Sequence, residues 1–181
     1  MIAVEIFKAY DIRGIVGNTL DDDAVRLIAR SIGSEALSLN IRTLALGRDG
    51  RLSGAHLAEI VSEEWLKMGM DVLDIGAVTT PMLYFTAHTK TEGSGVMITG
   101  SHNPPDYNGF KIMLGGETSA GERIQDLLHR IENNDFAPQS FSGSLNIAEV
   151  SDDYIMRIAS DITLKRPMHI AVDAGNGIAG A

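Results

Sequence analysis

Short apolar runs alternate with longer segments of helical periodicity along most of the chain, and this alternation limits the fold more than any other feature. In residues 21–39, Val25, Ile28 and Ile32 recur at helical spacing behind a run of aspartates, which is typical of an amphipathic helix. The same reasoning predicts helices over residues 53–68 and 80–89, and short strands over residues 43–46, 70–75 and 95–99. The sequence therefore predicts an α/β fold with a mixed, mostly parallel sheet and helices on both faces.

A second apolar run, residues 110–114, follows closely behind the strand at 95–99. The loop between them is too short for a helical crossover, so we expect the two strands to pair in an antiparallel manner. Farther along, the pattern predicts a helix over 120–132, a polar connector over 133–145, a helix over 150–162 and a buried strand over 168–172. We expect one domain over residues 1–148, and over residues 149–181 a linker helix and the truncated start of a second, similar domain.

The net charge of the 181 residues is −9, and this balance narrows the class of partner. Nucleic acid is not expected, because a phosphate backbone requires a basic protein face, whereas a small phosphosugar requires only a few cations in a cleft. The sequence contains no cysteine, which excludes disulfides and thiolate metal sites. We find no signal-peptide pattern and no apolar run of membrane-spanning length, so we expect a cytoplasmic enzyme without membrane contact.

The segment from Thr99 to Lys111 carries the clearest chemical signal. It places Ser101 between a glycine and a histidine at the end of a buried strand, in a loop that is made stiff by Asn-Pro-Pro and Asn-Gly turns. A hydroxyl on a stiff loop with a base and a cation nearby is expected of a phosphate acceptor or a covalent nucleophile. The alternative is a turn serine that only hydrogen-bonds the loop backbone, which is the common role of an isolated serine.

His102 and Lys111 can each be interpreted in two ways. His102 could orient Ser101 or contact a substrate phosphate, or it could be a solvated structural residue. A role as a hydrolase-type base is not expected, because adjacent side chains on an extended chain point in opposite directions and Gly-x-Ser-x-Gly is absent. Lys111 could serve at a site, or it could face solvent on an alternating strand.

Two further charged motifs precede the serine loop. Arg13 lies in a Tyr-Asp-Ile-Arg-Gly sequence, where it could be a surface arginine at a turn, and Tyr10 of the same motif could belong to the core. Residues 48–51, Arg-Asp-Gly-Arg, follow a strand and precede a helix, at the kind of strand end where ligands gather in parallel sheets. In this position the motif could support the structure of a cleft, or its side chains could contact a ligand directly.

Four ordered motifs resemble those of the α-D-phosphohexomutases, most closely the bacterial phosphomannomutase and phosphoglucomutase branch. They are Phe-Lys-Ala-Tyr-Asp-Ile-Arg-Gly at 7–14, Gly-Arg-Asp-Gly-Arg at 47–51, Thr-Thr-Pro at 79–81 and Thr-Gly-Ser-His-Asn-Pro-Pro at 99–105. Four motifs in order make a more specific signal than one short motif. The resemblance implies an enzyme that interconverts hexose 1-phosphates and 6-phosphates through a phosphoserine and a bisphosphate intermediate. Mannose and glucose phosphates are both compatible with it.

The resemblance also implies roles for individual residues. Ser101 would carry the phosphoryl group and, through it, provide one ligand of Mg²⁺. Lys111 would act as general acid or base, while Arg13 and His102 would contact the substrate and take part in catalysis, and Tyr10 would contact the substrate. Glucose 1,6-bisphosphate would act as activator. The family's remaining metal ligands and its sugar-recognition and distal phosphate-binding loops lie outside this chain, so we expect these residues alone to be inactive.

Two other functions stay open at this point. A domain that binds phosphate or a partner surface without catalysis would have the same fold. The Gly-x-Gly-x-x-Gly sequence at residues 175–180, after the predicted strand at 168–172, formally matches the fingerprint of a nicotinamide-dependent oxidoreductase. The resemblance offers a different interpretation of these glycines, as a turn at the start of a second domain.

Overall fold

The computed structural model of the chain describes residues 2–140, 142–175 and 178. A short 3₁₀ turn at Val4–Ile6 precedes the first strand. The regular elements are, in chain order, β1 (Ile12–Ile15), α1 (Asp22–Ser38), β2 (Thr43–Arg48), α2 (Gly54–Lys67), β3 (Asp71–Ala77), α3 (Thr80–Lys90), β4 (Gly95–Ile98), β5 (Tyr107–Leu114), β6 (Glu117–Thr118), α4 (Glu122–Glu132), β7 (Leu145–Ile147) and α5 (Ser151–Asp161). Every helix and strand predicted before residue 132 is confirmed, with ends displaced by a few residues.

Within the described residues, seven strands form one mixed sheet in the order β1-β5-β4-β2-β3-β7, with β6 paired to β5 outside that path. Strands β4, β2, β3 and β7 are parallel neighbours, while β5 is antiparallel to β1, β4 and β6. The predicted hairpin is confirmed, since Ile98 of β4 lies opposite Phe110 of β5. The mixed α/β sheet is confirmed as well. Of its described pairings three are parallel and three antiparallel, so the antiparallel share is larger than the sequence predicted.

Helices cover both faces of the sheet, as predicted. On one face, Leu44 and Leu46 of β2 belong to the main core with α1, α2 and α4, whereas Ala45 belongs to a smaller cluster with Leu83 of α3 on the other face. Successive residues of a strand point to opposite faces, so β2 contributes to both clusters. The fully buried Trp65 joins α2 to α1, because its Nε1–H donates to the carbonyl of Ala29 at 2.8 Å.

The ends of the helices follow local sequence signals. Asp21 is the N-cap of α1, and its Oδ1 accepts a hydrogen bond from the N–H of Ala24 at 2.8 Å. Gly69 follows α2 with a φ of +77°, a left-handed conformation that glycine adopts without strain. Thr79 is the N-cap of α3 and Pro81 lies in its first turn, where the missing N–H leaves no helical bond unmade.

The order of the strands brings two loops to one edge of the sheet. Because β2 and β4 are parallel neighbours, with Arg48 opposite Ile98, the segments 49–53 and 99–106 leave the sheet side by side. The N–H of Asp49 continues the pairing, since it donates to the carbonyl of Ile98 at 2.9 Å. Ligands gather at the carboxyl ends of parallel strands, so the candidate site motifs lie where this topology favours binding.

Strand β7 is a part of the sheet that the sequence did not predict. Residues 133–145 were expected to be a connector, yet Leu145–Ile147 pairs in parallel with β3. Ser144 fixes the start of this strand, because its N–H and hydroxyl donate to Asp71 Oδ1 at 2.9 and 2.6 Å. These bonds, above all that from the hydroxyl, lower the pKa of the Asp71 carboxyl. All residues of β7 are exposed, so the strand carries no pattern of alternating burial that could have revealed it.

The described C-terminal part makes few contacts with the rest of the domain. Helix α5 buries no residue, and it meets α3 through an edge-on contact of the Tyr154 and Phe85 rings, whose centroids are 5.6 Å apart. Hydrogen bonds from Ser151 and Val150 lower the pKa of Glu149 just before this helix. The buried strand expected at residues 168–172 is wrong, because these residues are exposed and form no strand. A parallel strand needs a hydrogen-bonded neighbour, and the described residues provide none for this segment.

Most of the glycine sequence at 175–180 lies outside the described residues. Without the strand at 168–172, the strand-to-turn context that motivated the nicotinamide-dependent oxidoreductase is not found in the described part of the chain. Among the described helices, none combines the length and the apolar character needed to cross a membrane.

Candidate active site

Ser101 is exposed in the loop that joins β4 to β5. Its φ is +50°, in the left-handed region that residues other than glycine rarely occupy. The loop is closed by its own hydrogen bonds, since the N–H and Nδ2 of Asn103 donate to the carbonyl of Gly100 at 3.0 and 2.8 Å. The loop therefore holds the serine in a backbone conformation that persists only where the surrounding structure enforces it.

His102 lies beside the serine hydroxyl. Its Nδ1 is 3.3 Å from Ser101 Oγ, so the expectation that the two side chains point in opposite directions is wrong. That expectation assumed an extended chain, whereas Ser101 is left-handed and turns its side chain toward its neighbour. The ring nitrogen can donate to the hydroxyl or accept from it according to the tautomer. The geometry therefore allows His102 to orient Ser101 Oγ.

Arg13 reaches the serine loop from β1. Its Nη1 donates to Asn103 Oδ1 at 3.4 Å, and its Nε lies 3.7 Å from Asp11 Oδ1. Arg13 pairs with Gly109 of β5, and a Cβ added at Gly109 would lie 2.2 Å from the carbonyl oxygen of Ile12. The absence of a side chain at Gly109 thus lets β1 approach closely enough to bring the guanidinium to the loop.

Lys111 lies on β5 opposite Met97 of β4, and its Nζ is 3.5 Å from Asp11 Oδ2. Asp11 therefore contacts both of the predicted cationic residues, Arg13 and Lys111. No role for Asp11 was predicted from the sequence. Its place in the same motif as Arg13 was the available signal, but a contact with Lys111, far along the chain, depends on the pairing of β1 with β5.

Tyr10 precedes these residues and is 74% exposed, so its interpretation as a core residue is wrong. Packing in the core therefore does not account for a tyrosine at this position. Its predicted contact with a substrate stays a prediction.

The 48–51 motif supports the serine loop. Asp49 Oδ2 accepts hydrogen bonds from Thr99 Oγ1 at 2.7 Å and from the N–H of Gly100 at 3.0 Å. Arg51 donates to the carbonyl of Ser101 at 3.0 Å and to other carbonyls of the same loop. The sequence left support of the cleft and direct ligand contact equally open, and these bonds favour support.

A cavity of about 660 Å³ opens beside the loop, with Ser101, Asn103 and Pro105 on one side and residues 49–53 on the other. This volume falls within the range of small-molecule sites, which is roughly 300–1,000 Å³. Val16 and Ile178 also line it, whereas Arg13 and Lys111 do not. The cavity therefore lies on the Arg51 side of the loop.

The described residues do not form a magnesium centre by themselves. Among them, no group of three or more His, Cys, Asp and Glu side chains lies close enough together to hold a metal ion. A protein site for Mg²⁺ draws on carboxylate oxygens together with substrate phosphates and water, so the donor set found here is incomplete.

Comparison with known proteins identifies relatives over nearly the whole chain. The family model described as phosphoglucomutase/phosphomannomutase, alpha/beta/alpha domain I, matches residues 4–138. A phosphoglucomutase of Neisseria meningitidis serogroup B is 57% identical over 99% of this chain and 39% of that protein. A phosphomannomutase/phosphoglucomutase of Pseudomonas aeruginosa is 49% identical over 99% of this chain and 38% of that protein.

A crystal structure of a phosphoglucomutase/phosphomannomutase family protein from Burkholderia thailandensis has the same fold. It matches with a TM-score of 0.90 and 46% identity, over 99% of this chain and 41% of that one. The chain thus spans about two-fifths of the length of the relatives that it matches.

The sheet lies between two layers of helices, with the serine loop at its edge. Together with these matches, this arrangement defines an α/β/α domain of the phosphohexomutase type. The chain belongs to the phosphoglucomutase/phosphomannomutase family, and its residues 4–138 correspond to domain I of that family.

Proposed function

We propose that the protein carrying this chain is a phosphohexomutase, which interconverts hexose 1-phosphates and 6-phosphates through a phosphoserine at Ser101 and a bisphosphate intermediate. One observation carries the proposal: the exposed Ser101 hydroxyl lies 3.3 Å from His102, in a loop that Arg13 contacts. Relatives named phosphoglucomutase and phosphomannomutase support a phosphosugar as substrate, with glucose and mannose phosphates both compatible.

The proposed reaction consists of two successive phosphoryl transfers. In the first, the bond between phosphorus and Ser101 Oγ breaks, and a new bond forms between phosphorus and a hydroxyl oxygen of the hexose phosphate. The proton lost by that hydroxyl ends on Ser101 Oγ, and Lys111 is the proposed general acid or base that carries it. In the second, the other phosphoryl group of the bisphosphate passes to Ser101 Oγ and the proton returns to the sugar oxygen. The phosphoserine is thereby regenerated.

Three residues are proposed to bind and orient the reacting groups. Arg13 offers a planar guanidinium that suits the oxygens of a phosphoryl group. His102, next to Ser101 Oγ, is proposed to orient that oxygen and to contact the substrate. Tyr10, exposed just before β1, is proposed to contact the sugar phosphate.

Metal dependence is general in this family. Because the described side chains do not complete a magnesium site, we propose only that a phosphate on Ser101 would provide one ligand of Mg²⁺. We propose that the other ligands lie outside this chain and, for that reason, that residues 1–181 alone show no turnover.

Glucose 1,6-bisphosphate is proposed as the activator that phosphorylates Ser101. We further propose that the protein acts in the cytoplasm, without a nucleic-acid or membrane partner.

The test is the mass of the native protein that carries this chain, before and after incubation with glucose 1,6-bisphosphate and magnesium. We expect one added phosphoryl group at Ser101, no addition in Ser101→Ala, and normal addition in Ser38→Ala, which changes an exposed serine near the end of α1. Turnover of glucose 1-phosphate should be lost in Ser101→Ala alone. Undiminished turnover in that variant would refute the proposal, and a wild type that takes up no phosphoryl group would favour the non-catalytic alternative.

A parallel assay of residues 1–181 tests the proposed inactivity of this stretch alone. We expect no conversion of glucose 1-phosphate with magnesium and glucose 1,6-bisphosphate present. Turnover at the rate of the native protein would show that the described residues suffice for catalysis.

A further inference from the structure

We infer that Arg51 and Asp49 are positioning residues for phosphoryl transfer at Ser101, and that they act on the loop backbone without touching the substrate. This inference rests on the proposed function and adds to it a mechanism for aiming the serine. We call Arg51, Asp49 and the backbone groups of residues 99–107 that they hold, directly or through Thr99, the loop clamp.

Arg51 uses its terminal nitrogens entirely on the loop. Nη1 donates to the carbonyls of Pro104 and Tyr107, and Nη2 to those of Ser101 and Asn103, at distances of 2.5–3.0 Å. Each terminal nitrogen carries two hydrogens, so within the described structure none of them remains for a phosphate. The Nε atom faces Asp49 Oδ2 at 3.5 Å. Arg51 therefore binds the loop backbone, although it also lines the cavity beside Ser101.

Asp49, next to Arg51, binds the first part of the loop. Its Oδ2 accepts from Thr99 Oγ1 and from the N–H of Gly100, and its Oδ1 accepts from the N–H of Arg51 at 3.0 Å. Thr99 Oγ1 in turn accepts from the N–H of Ser101 at 2.9 Å. The N–H of Ser101 is thus tied to Asp49 through Thr99, and its carbonyl is tied directly to Arg51.

These bonds explain how Ser101 keeps a left-handed conformation. A residue other than glycine at a φ of +50° is strained, and such strain persists only when neighbouring bonds outweigh it. The clamp fixes both backbone polar groups of Ser101, and the left-handed φ turns Oγ toward His102. Release of the clamp would let Ser101 relax to an ordinary φ, which would move Oγ away from the position that phosphoryl transfer requires.

Only an arginine can make this set of contacts. A lysine ammonium keeps the charge but concentrates its three donors on one atom, so it cannot reach four carbonyls spread over a planar fork. Arg51→Lys therefore removes the geometry of the clamp while it retains the charge. Arg130→Lys is a matched control, because Arg130 also makes several bonds, to Glu35 and Asp135, on α4 away from the serine loop.

The experiment compares the two lysine variants in the native protein that carries this chain. The measured quantities are kcat and KM for glucose 1-phosphate, the rate of Ser101 phosphorylation by glucose 1,6-bisphosphate, and the melting temperature. We expect kcat of Arg51→Lys to fall about 100-fold, because a displacement of about 1 Å can reduce catalysis by that factor. We expect KM to stay within roughly 3-fold, since a residue that does not touch the substrate leaves uniform binding unchanged. Arg130→Lys should match the wild type in both.

Hydrogen exchange separates positioning from general stability. The N–H of Ser101 should exchange faster in Arg51→Lys than in the wild type, while the N–H groups of the core strands should not change. Should Arg51→Lys unfold, Thr99→Val provides a second variant, because it removes only the link between Asp49 and Ser101. We expect it to lower kcat by about 10-fold at unchanged KM.

Three outcomes overturn the inference. A raised KM at normal kcat would show that Arg51 binds substrate, and kinetics identical to the wild type in both Arg51→Lys and Thr99→Val would show that the clamp is irrelevant to transfer. A melting temperature that falls in proportion to the lost activity, with no selective exchange at Ser101, would show a purely structural role. If the wild type shows no transfer at all, the proposed function fails and the inference fails with it. Normal wild-type transfer with any of the three outcomes refutes the inference alone.

Discussion

Arg13 and Arg51 both contact the serine loop, but Arg51 makes more hydrogen bonds to it than Arg13 does. Arg51 donates to four carbonyls of the loop at 2.5–3.0 Å. Arg13 makes one hydrogen bond of 3.4 Å to Asn103 and an ion pair of 3.7 Å with Asp11. The same residue type therefore has two roles at one loop, and its hydrogen-bond partners distinguish them better than its charge does.

The difference follows from what surrounds each guanidinium. Backbone carbonyls are neutral acceptors that match the planar fork of Arg51, and the one charge of Arg51 is paired with the one carboxylate of Asp49. Arg13 lies beside Asp11, which also contacts Lys111, so two cations share one carboxylate. Positive charge in excess of its partner is suited to a phosphoryl group. This difference supports the proposals that Arg13 binds an anion and that Arg51 holds the serine loop in place.

The largest expected effect in this comparison comes from Arg13→Ala. If Arg13 binds the transferring group as proposed, its loss should lower kcat/KM for glucose 1-phosphate by about 10²-fold to 10³-fold. The measurement is steady-state kinetics of the native protein, with Arg42→Ala as control. Arg42 precedes β2, and it therefore lies at the opposite end of that strand from the 48–51 motif. Equal activity in Arg13→Ala and the wild type would contradict the assignment of Arg13 to phosphate binding.

The domain that carries these residues could largely be predicted from the sequence. The helix α1 has its apolar residues at helical spacing and its cap at Asp21, so local chemistry alone places it. Strand β7 escaped prediction because its three residues are exposed and its pairing depends on Asp71, far away in sequence. The strand expected at 168–172 failed for the converse reason, since an apolar run forms a strand only where a neighbour can pair with it.

The sequence allowed the loop that carries Ser101 to be located, but not the geometry of the side chains around it. The motif around Ser101 identified the loop. The contact of His102 with Ser101 Oγ was not predicted, because the order of residues does not reveal a left-handed φ at a serine. The contact of Asp11 with Lys111 likewise requires the β1–β5 register, which composition and spacing do not reveal. The pairing of strands that are distant in sequence and the strained backbone at Ser101 could therefore not be predicted from the sequence alone.

A smaller effect, on the Arg51 side, is expected from Gly100→Ala. An added Cβ would lie 2.1 Å from Arg51 Nε, so the guanidinium would have to leave the loop carbonyls. Because the end of a flexible side chain can move, we expect little change in the melting temperature but a loss of about 10-fold to 100-fold in kcat. Unchanged kcat together with unchanged stability would show that the serine loop tolerates the displacement of Arg51, which would weaken the contrast between the two arginines.

The next effect concerns the strand that carries Arg13. A Cβ at Gly109 would lie 2.2 Å from the carbonyl oxygen of Ile12, and here backbone, not a flexible side chain, must move. We expect Gly109→Ala to destabilise the protein by about 1–3 kcal/mol, the usual range for overpacking. Chemical denaturation of residues 1–181 measures this value. A free energy of unfolding within error of both the wild type and Gly100→Ala would contradict the close approach of β1 to β5.

The smallest expected effect concerns pH. It tests whether hydrogen bonds to the backbone respond differently to acid when a guanidinium or a carboxylate makes them. Arg51 holds the loop through a guanidinium, whereas Asp71, which holds Ser144 and the start of β7, is a carboxylate that acid can neutralise. The pKa of folded Asp71 lies below the ordinary value of 3.8. Its contribution to stability is therefore complete above the unfolded pKa and is lost as pH falls through the folded pKa. Strand β7 should loosen in acid, whereas the bonds from Arg51 to the loop carbonyls should not.

The chemical shifts of the Ser144 and Asn108 amides of residues 1–181, followed by NMR through the acid range, distinguish the two sets of bonds, because the Asn108 amide shares its peptide group with the Tyr107 carbonyl that Arg51 binds. We expect Ser144 to shift with the midpoint of Asp71, below 3.8, and this transition to vanish in Asp71→Asn. In Asp23→Asn, an exposed aspartate in the first turn of α1, it should persist. An Asn108 amide that moved with the same midpoint, and no longer moved in Asp71→Asn, would mean that both segments depend on the Asp71 carboxylate. The expected difference between bonds made by a carboxylate and bonds made by a guanidinium would then be wrong.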